Sequence, residues 1–291
     1  MFKEQKHIKQ LPELSAETRE MISGSYIGWG KSKEQVWASL EKRLEPIQPA
    51  RTKVIAGPWI KLAIAATITL LVGISIFMQF YTKTIRVAAG QHSSIYLPDH
   101  SRVRLNAQST LSYEPLKWKF SRIVRFEGEA FFEVEQGKKF EVISTNGKTL
   151  VMGTSFNVYS RNSDYQVTCV SGKVKVIENK TNKEVLIQPG QKTELRAEGI
   201  LEIQSGINAE QTLAWLNNKL TFTSVALPRV FEEIGRQYGV LIHFPGDLDN
   251  LYTGSFKRNI SVEHALNLVC KPFNLKFIRK SNDEYIISGS N

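Results

Sequence analysis

Apolar and polar positions alternate along most of this chain with one of two periods, and in one place the alternation stops. From Leu62 to Phe80 the run LAIAATITLLVGISIFMQF holds no charged residue. As a helix it would extend roughly 28 Å, close to the thickness of a bilayer's hydrocarbon core. The pattern predicts a transmembrane helix over 58–82, with Leu62 and Phe80 near the ends of its apolar run and Leu70 and Gly73 within it. Trp59 and Tyr81 fall where aromatic rings favour the headgroup level, and Lys61 and Lys83 bracket the run. A core helix would be shorter and amphipathic, and a signal peptide would not follow some sixty other residues.

Before the span, residues 1–57 have a helical period from Ser15 to Leu44. Ser32 and Gln35 make a capping box, and Val36, Trp37, Leu40 and Leu44 then recur at three- and four-residue spacing. A weaker helix is expected between Ser15 and Gly24. Two short helices bury little, so the stripe led by Trp37 is left for a partner protein, for the first helix, or for the membrane surface. Pro46, Pro49 and Gly57 mark a linker.

After Lys83 the period changes to two. In RFEGEAFFEVE, Phe126, Gly128, Ala130, Phe132 and Val134 share one strand face, and Arg125, Glu127, Glu129, Glu133 and Glu135 fill a face expected to be wet. Short runs around Val103 and Leu105, Phe156 and Val158, Val174 and Val176, and Leu186 are separated by turn residues, which predicts an all-β unit over 84–205. A polar linker is expected over 206–218. From 219 to 291 the order becomes β-α-β-β-α-β-β: Pro228 opens one helix that Gly239 stops, Ser261 caps a second, and Asn282-Asp283 turns a final hairpin. The fold class is therefore multidomain: a short α-helical segment, one transmembrane helix, an all-β domain and a C-terminal α+β domain.

Charge adds an orientation. Lys42, Arg43, Arg51, Lys53 and Lys61 precede the span, against Lys83 and Arg86 just after it, so the N-terminus is expected in the cytoplasm and the C-terminal part outside it. The net charge of +10 is spread without a block of like charges, which gives little support to nucleic-acid binding. Cys169 and Cys270 are expected to be two separately buried thiols rather than a bridge.

No catalytic constellation emerges. Asp99, His100 and Ser101 are adjacent and read as a turn, since the roles of a triad need converging side chains. Glu127, Glu129 and Glu133 lie at period two on one strand and read as a solvated face rather than a glycosidase pair. The five histidines have no metal-ligand spacing, and no cofactor is expected.

LPDHSRVRLNAQSTLSY at 97–113, FEGEAFFEVE at 126–135, GTSFNVYS at 153–160, VSGKVKV at 170–176 and LIQPGQKTEL at 186–195 together resemble the FecR family of membrane anti-sigma factors. AWLNNKLTFTSVALPRVFEEIGRQYGV and SVEHALNLVCKPFNLKF are similar to the C-terminal domain of Bacteroidetes-type members, itself akin to the short N-terminal domain of secretins and TonB receptors. Two departures stand out: His100 and Asn218 occupy turn positions where the family has Gly, and both residue types tolerate positive φ. Only KSKEQVWASLEKRL carries the likeness before the span.

The resemblance implies a single-pass inner-membrane protein, with an anti-sigma segment at 1–57 and a signal-receiving domain at 219–291. Val36, Trp37, Leu40 and Leu44 would hold an extracytoplasmic-function (ECF) sigma factor. The exported part would meet the signalling domain of a TonB-dependent receptor, and membrane proteases would release the cytoplasmic segment, eased by Gly73 and Ser75 in the span. Direct contact with nucleic acid is not implied. The alternatives are a membrane-tethered DNA-binding regulator and an exported glycan-binding protein.

Overall fold

The computed structural model describes residues 30–43, 57–246 and 248–289. Leu44, the expected helix between Ser15 and Gly24, and most of the 46–57 linker lie outside them. The chain divides into units 1–63 and 64–291.

In the first unit, helix α1 (Lys33–Glu41) starts as its sequence requires. Ser32 Oγ accepts from the Gln35 N–H, and the Gln35 side chain accepts from the Ser32 N–H. It buries none of its residues. Helix α2 (Pro58–Phe80) begins in this unit and ends in the second; Leu62, Leu70, Gly73 and Phe80 all lie on it, exposed. Its Thr69 hydroxyl donates to Ala65 O at 2.9 Å, which satisfies a polar group inside the apolar run.

The second unit opens with thirteen strands: β1 (Lys83–Val87), β2 (Ser93–Tyr96), β3 (Arg102–Leu105), β4 (Ser109–Tyr113), β5 (Arg122–Val134), β6 (Phe140–Ile143), β7 (Gly147–Val151), β8 (Thr154–Arg161), β9 (Asp164–Ser171), β10 (Val174–Glu178), β11 (Glu184–Ile187), β12 (Gln191–Leu195) and β13 (Leu201–Ser205). Their main order is β11-β10-β7-β6-β5-β8-β9-β12-β13, with β1-β4 and β2-β3 joined to β5 at its sides. Strand β5 belongs to two ladders. Its first half pairs with β4 and β6, its second with β3 and β8.

The corner between the halves is Gly128, at φ +121°. A Cβ there would lie 2.3 to 2.7 Å from Ser109 atoms, and the Ser109 hydroxyl accepts from the Glu129 N–H at 3.0 Å. Around the corner, Phe126 meets Phe132 edge-on at 5.6 Å, and Phe132 stacks on Phe156 at 5.2 Å. Gly128→Ala is expected to cost at least about 1–3 kcal/mol from backbone strain alone, read as a lowered midpoint of chemical unfolding. An unchanged midpoint would mean that β5 does not need its corner.

The wet face expected on β5 is mostly absent: among its residues only Arg125 is exposed. Phe131, on the supposed polar side, is buried with the Arg104 guanidinium 5.1 Å from its ring centroid, and Glu129 is half-buried in a cavity lining it shares with residues of the C-terminal fold. Alternation locates a strand but does not reveal what later covers its second face.

The C-terminal fold has the predicted order: β14 (Lys219–Ala226), α3 (Leu227–Tyr238), β15 (Leu241–His243), β16 (Leu251–Lys257), α4 (Val262–Cys270), β17 (Leu275–Ser281) and β18 (Glu284–Gly289). β14 pairs with β16, and β15-β18-β17 form a second sheet. Val230, Phe231 and Ile234 of α3 and Leu266 and Val269 of α4 share a core with Phe222, Tyr252 and Tyr285. Gly239 ends α3 at φ +71° and Ser261 caps α4, as the sequence indicates. His100 and Asn218 adopt φ +67° and +53°, so both turns keep left-handed geometry without glycine. Cys169 and Cys270 are free and buried.

Candidate functional site

Two surfaces and one seam concentrate the chemistry. On α1, Val36, Trp37 and Leu40 are 38, 60 and 44% exposed. With Lys31 and Lys33 they line an apolar groove of about 450 Å³. An exposed tryptophan beside two lysines is suited to a partner with an apolar pocket and acidic rim.

On the C-terminal fold, β17 pairs only with β18 among the described residues, which leaves its other edge open. Ile278 is 60% exposed on that strand, beside Lys276, Arg279 and Lys280. Such an edge can accept a further strand, and its basic residues would choose among strands.

The seam joins the β-rich fold to α3 and was not visible in the sequence. Gln237 of α3 is 2% exposed; its Nε2 donates to Asn106 Oδ1 at 2.7 Å and to Glu233 Oε1 at 2.8 Å. His92 Nε2 lies 3.0 Å from Gln237 Oε1 and donates to it in the neutral ring; burial, above all, lowers the His92 pKa. Asn106 Nδ2 and Asn157 Nδ2 donate to the two oxygens of Glu129 at 2.8 and 3.0 Å. Gly90 N donates to Arg236 O at 2.8 Å, and Arg258 donates back to Gly90 O. Trp215, in the 206–218 stretch, is also buried there and meets His92 edge-on at 5.7 Å.

A cavity of about 280 Å³ lies in this seam, lined by Glu129, Glu233, Arg229, Arg236, Tyr159 and Trp215 among others. By surface area Glu129 is half-buried; its carboxylate lines the cavity with both oxygens hydrogen-bonded, and this setting shifts its pKa. Burial, reinforced by the Glu233 charge, pushes it up to about 7 against the opposing pull of Arg161, Asn157 and Asn106. Burial likewise pushes the Tyr159 phenol up to about 12.

Asp99, His100 and Ser101 form a turn. The Asp99 carboxylate accepts from Ser101 Oγ at 2.8 Å and is ion-paired with Arg122, whose guanidinium also donates to Glu135 O at 2.9 Å and Lys138 O at 2.7 Å. These bonds occupy the carboxylate in holding the turn, as expected of a structural role. Among the described residues no group of three or more His, Cys, Asp or Glu could hold a metal ion.

Residues 83–175 match the FecR protein family, and residues 219–287 match the FecR C-terminal family; together they take in more than half of the chain. A candidate anti-sigma factor from Parabacteroides distasonis, whose crystal structure was determined at 1.65 Å, is 25% identical, with a TM-score of 0.65 over 72% of this chain and 100% of that one. A second crystal structure of a candidate anti-sigma factor from that organism, at 2.50 Å, is 26% identical with the same TM-score and coverage. No curated protein matches the chain. A β-rich fold bent at Gly128 and a β-α-β-β-α-β-β fold docked on it, each matching the corresponding family region, follow a helix long and apolar enough to cross a bilayer: this chain belongs to the FecR family of anti-sigma factors.

Proposed function

We propose that this protein is a single-pass inner-membrane regulator that holds an ECF sigma factor in the cytoplasm and answers a TonB-dependent outer-membrane receptor in the periplasm. The carrying observation is the order of parts: a helix with an exposed Trp37 stripe, an uncharged run of membrane length, then the two family folds. The excess of Lys and Arg before α2 supports an N-terminus inside the cell. Val36, Trp37, Leu40 and Leu44 then form the sigma-factor contact. The open β17 edge supports strand addition by the receptor's signalling domain. Proteolysis in α2 near Gly73 would release the cytoplasmic segment; at Gly73 an added Cβ would meet nothing within 4 Å.

Co-purification of residues 1–57 with the sigma factor tests this reading. Trp37→Ala is expected to weaken the pair by about 1–3 kcal/mol, roughly 5- to 150-fold in Kd. Wild-type affinity in that variant would remove α1 from the contact. Binding of the same segment to DNA without the sigma factor would favour a tethered DNA-binding regulator instead.

A further inference from the structure

The connection between β4 and β5 holds two apolar side chains out of the fold at the end that faces α2. Phe120 is 88% exposed and Leu116 43%, while Trp118 between them is 5% exposed and packs edge-on against Tyr113 at 5.4 Å and Phe140 at 5.9 Å. The buried indole fixes the loop, so Leu116 and Phe120, each two residues away, are held outward by structure rather than by slack. Phe120 N and Ser121 N both donate to Lys117 O, at 2.9 and 3.0 Å, which closes the turn tightly.

Register places this loop beside the membrane helix. Phe80 ends α2, β1 begins at Lys83, and Lys83 pairs with Tyr113, the last residue of β4. Three residues of chain reach at most about 11 Å. The loop therefore emerges next to the point where the chain leaves α2. The other end of β1 leads to Gly90, which is bonded to Arg236 of α3, so the C-terminal fold lies at the far end of that strand. Lys117 and Lys119 are interleaved with the two apolar side chains along the loop, Lys83 pairs with Tyr113 at its start, and Glu114 is paired to Lys117 at 2.7 Å.

We propose that residues 114–121 are a second membrane contact: Phe120 and Leu116 enter the leaflet that α2 leaves at Phe80, and Lys83, Lys117 and Lys119 meet anionic headgroups. Apolar side chains seated at the headgroup boundary with lysines reaching phosphate is the chemistry of interfacial anchors. A tether only two residues long makes the encounter effectively intramolecular, so a small apolar contact suffices. The inference rests on α2 crossing the bilayer.

The test uses the full chain in nanodiscs of phosphatidylcholine and phosphatidylglycerol, with Cys169 and Cys270 replaced by alanine. A nitroxide is placed in turn at Phe120→Cys, at Ile68→Cys within α2 and at Ile278→Cys on the far fold. The ratio of oxygen to nickel-chelate accessibility is expected to be several-fold higher at 120 than at 278, and below that at 68. Lys117→Glu with Lys119→Glu should bring the 120 value towards that at 278. A label at 120 as open to nickel as the label at 278, while 68 reads lipid, would overturn the loop contact alone. Aqueous accessibility at 68 would overturn the crossing by α2 and this proposal with it. A label at 120 that is immobile yet open to nickel would point to a protein neighbour, and would also defeat the proposal.

Discussion

Replacing Arg122 by methionine is expected to destabilise the β-rich fold by about 3–5 kcal/mol, because it leaves a half of a buried ion pair and two carbonyls without partners. Arg122 is 9% exposed. It joins the Asp99 turn to the Glu135 and Lys138 carbonyls after β5, and its guanidinium carbon lies 5.4 Å from the Phe140 ring centroid. Three segments therefore lose their common partner at once. Adding Asp99→Asn should recover part of the loss, since the stranded charge goes with it; a double-mutant cycle of urea midpoints measures the coupling. Additive effects at the two positions would show that the pair is not a unit.

The second large effect is a pH dependence. Between the ordinary carboxylate value of 4.5 and about 7, folded Glu129 keeps a proton that the unfolded chain has released. The folded state then binds more protons, so stability falls as pH rises through that window. At about 1.4 kcal/mol per unit, the loss is on the order of 3 kcal/mol at most, complete above about pH 7. Glu129→Gln keeps a neutral acceptor for Asn106 or Asn157 and should remove this fall, leaving the opposite rise that the lowered His92 pKa contributes, while stabilising the protein at pH 8. Unfolding midpoints at pH 5.5 and 8 check this. A wild-type protein more stable at pH 8 by a margin that Glu129→Gln abolishes would falsify the assignment of a protonated carboxyl in the seam.

Local signals in the sequence were sound where the physics is local. The capping box at Ser32, the αL stop at Gly239, the Ser261 cap and the Asn282-Asp283 hairpin depend on a few adjacent residues, and each appears in the structure. The alternation of β5 predicted which of its side chains enter the core, with Phe126, Ala130, Phe132 and Val134 all buried in it. What failed was the second face of β5. Glu129 accepts from Asn106 and feels the charge of Glu233 on α3, while Asn106 itself is bonded to Gln237 of α3 across 131 positions. No periodicity carries such a pairing, because polar residues that meet across a seam look like surface residues in each segment alone. The one nearby hint was composition: Asn157 at the centre of β8 and Gln237 on the apolar side of α3 are polar residues in apolar company. Trp37 and the α2 run were legible for the opposite reason, since a large apolar group without a local partner stands out.

Among the described residues strand β1 pairs with β4 alone, through five residue pairs, and Tyr81 and Thr82 separate it from α2. With α2 seated in a bilayer as proposed, a tension drawn between the bilayer and the distal fold meets only two residues of spacer before one short ladder at the rim of a sheet. Pulled along its length, that ladder shares the load over all its bonds; pulled sideways, it opens one bond at a time. The direction of traction, more than its size, decides whether this rim holds.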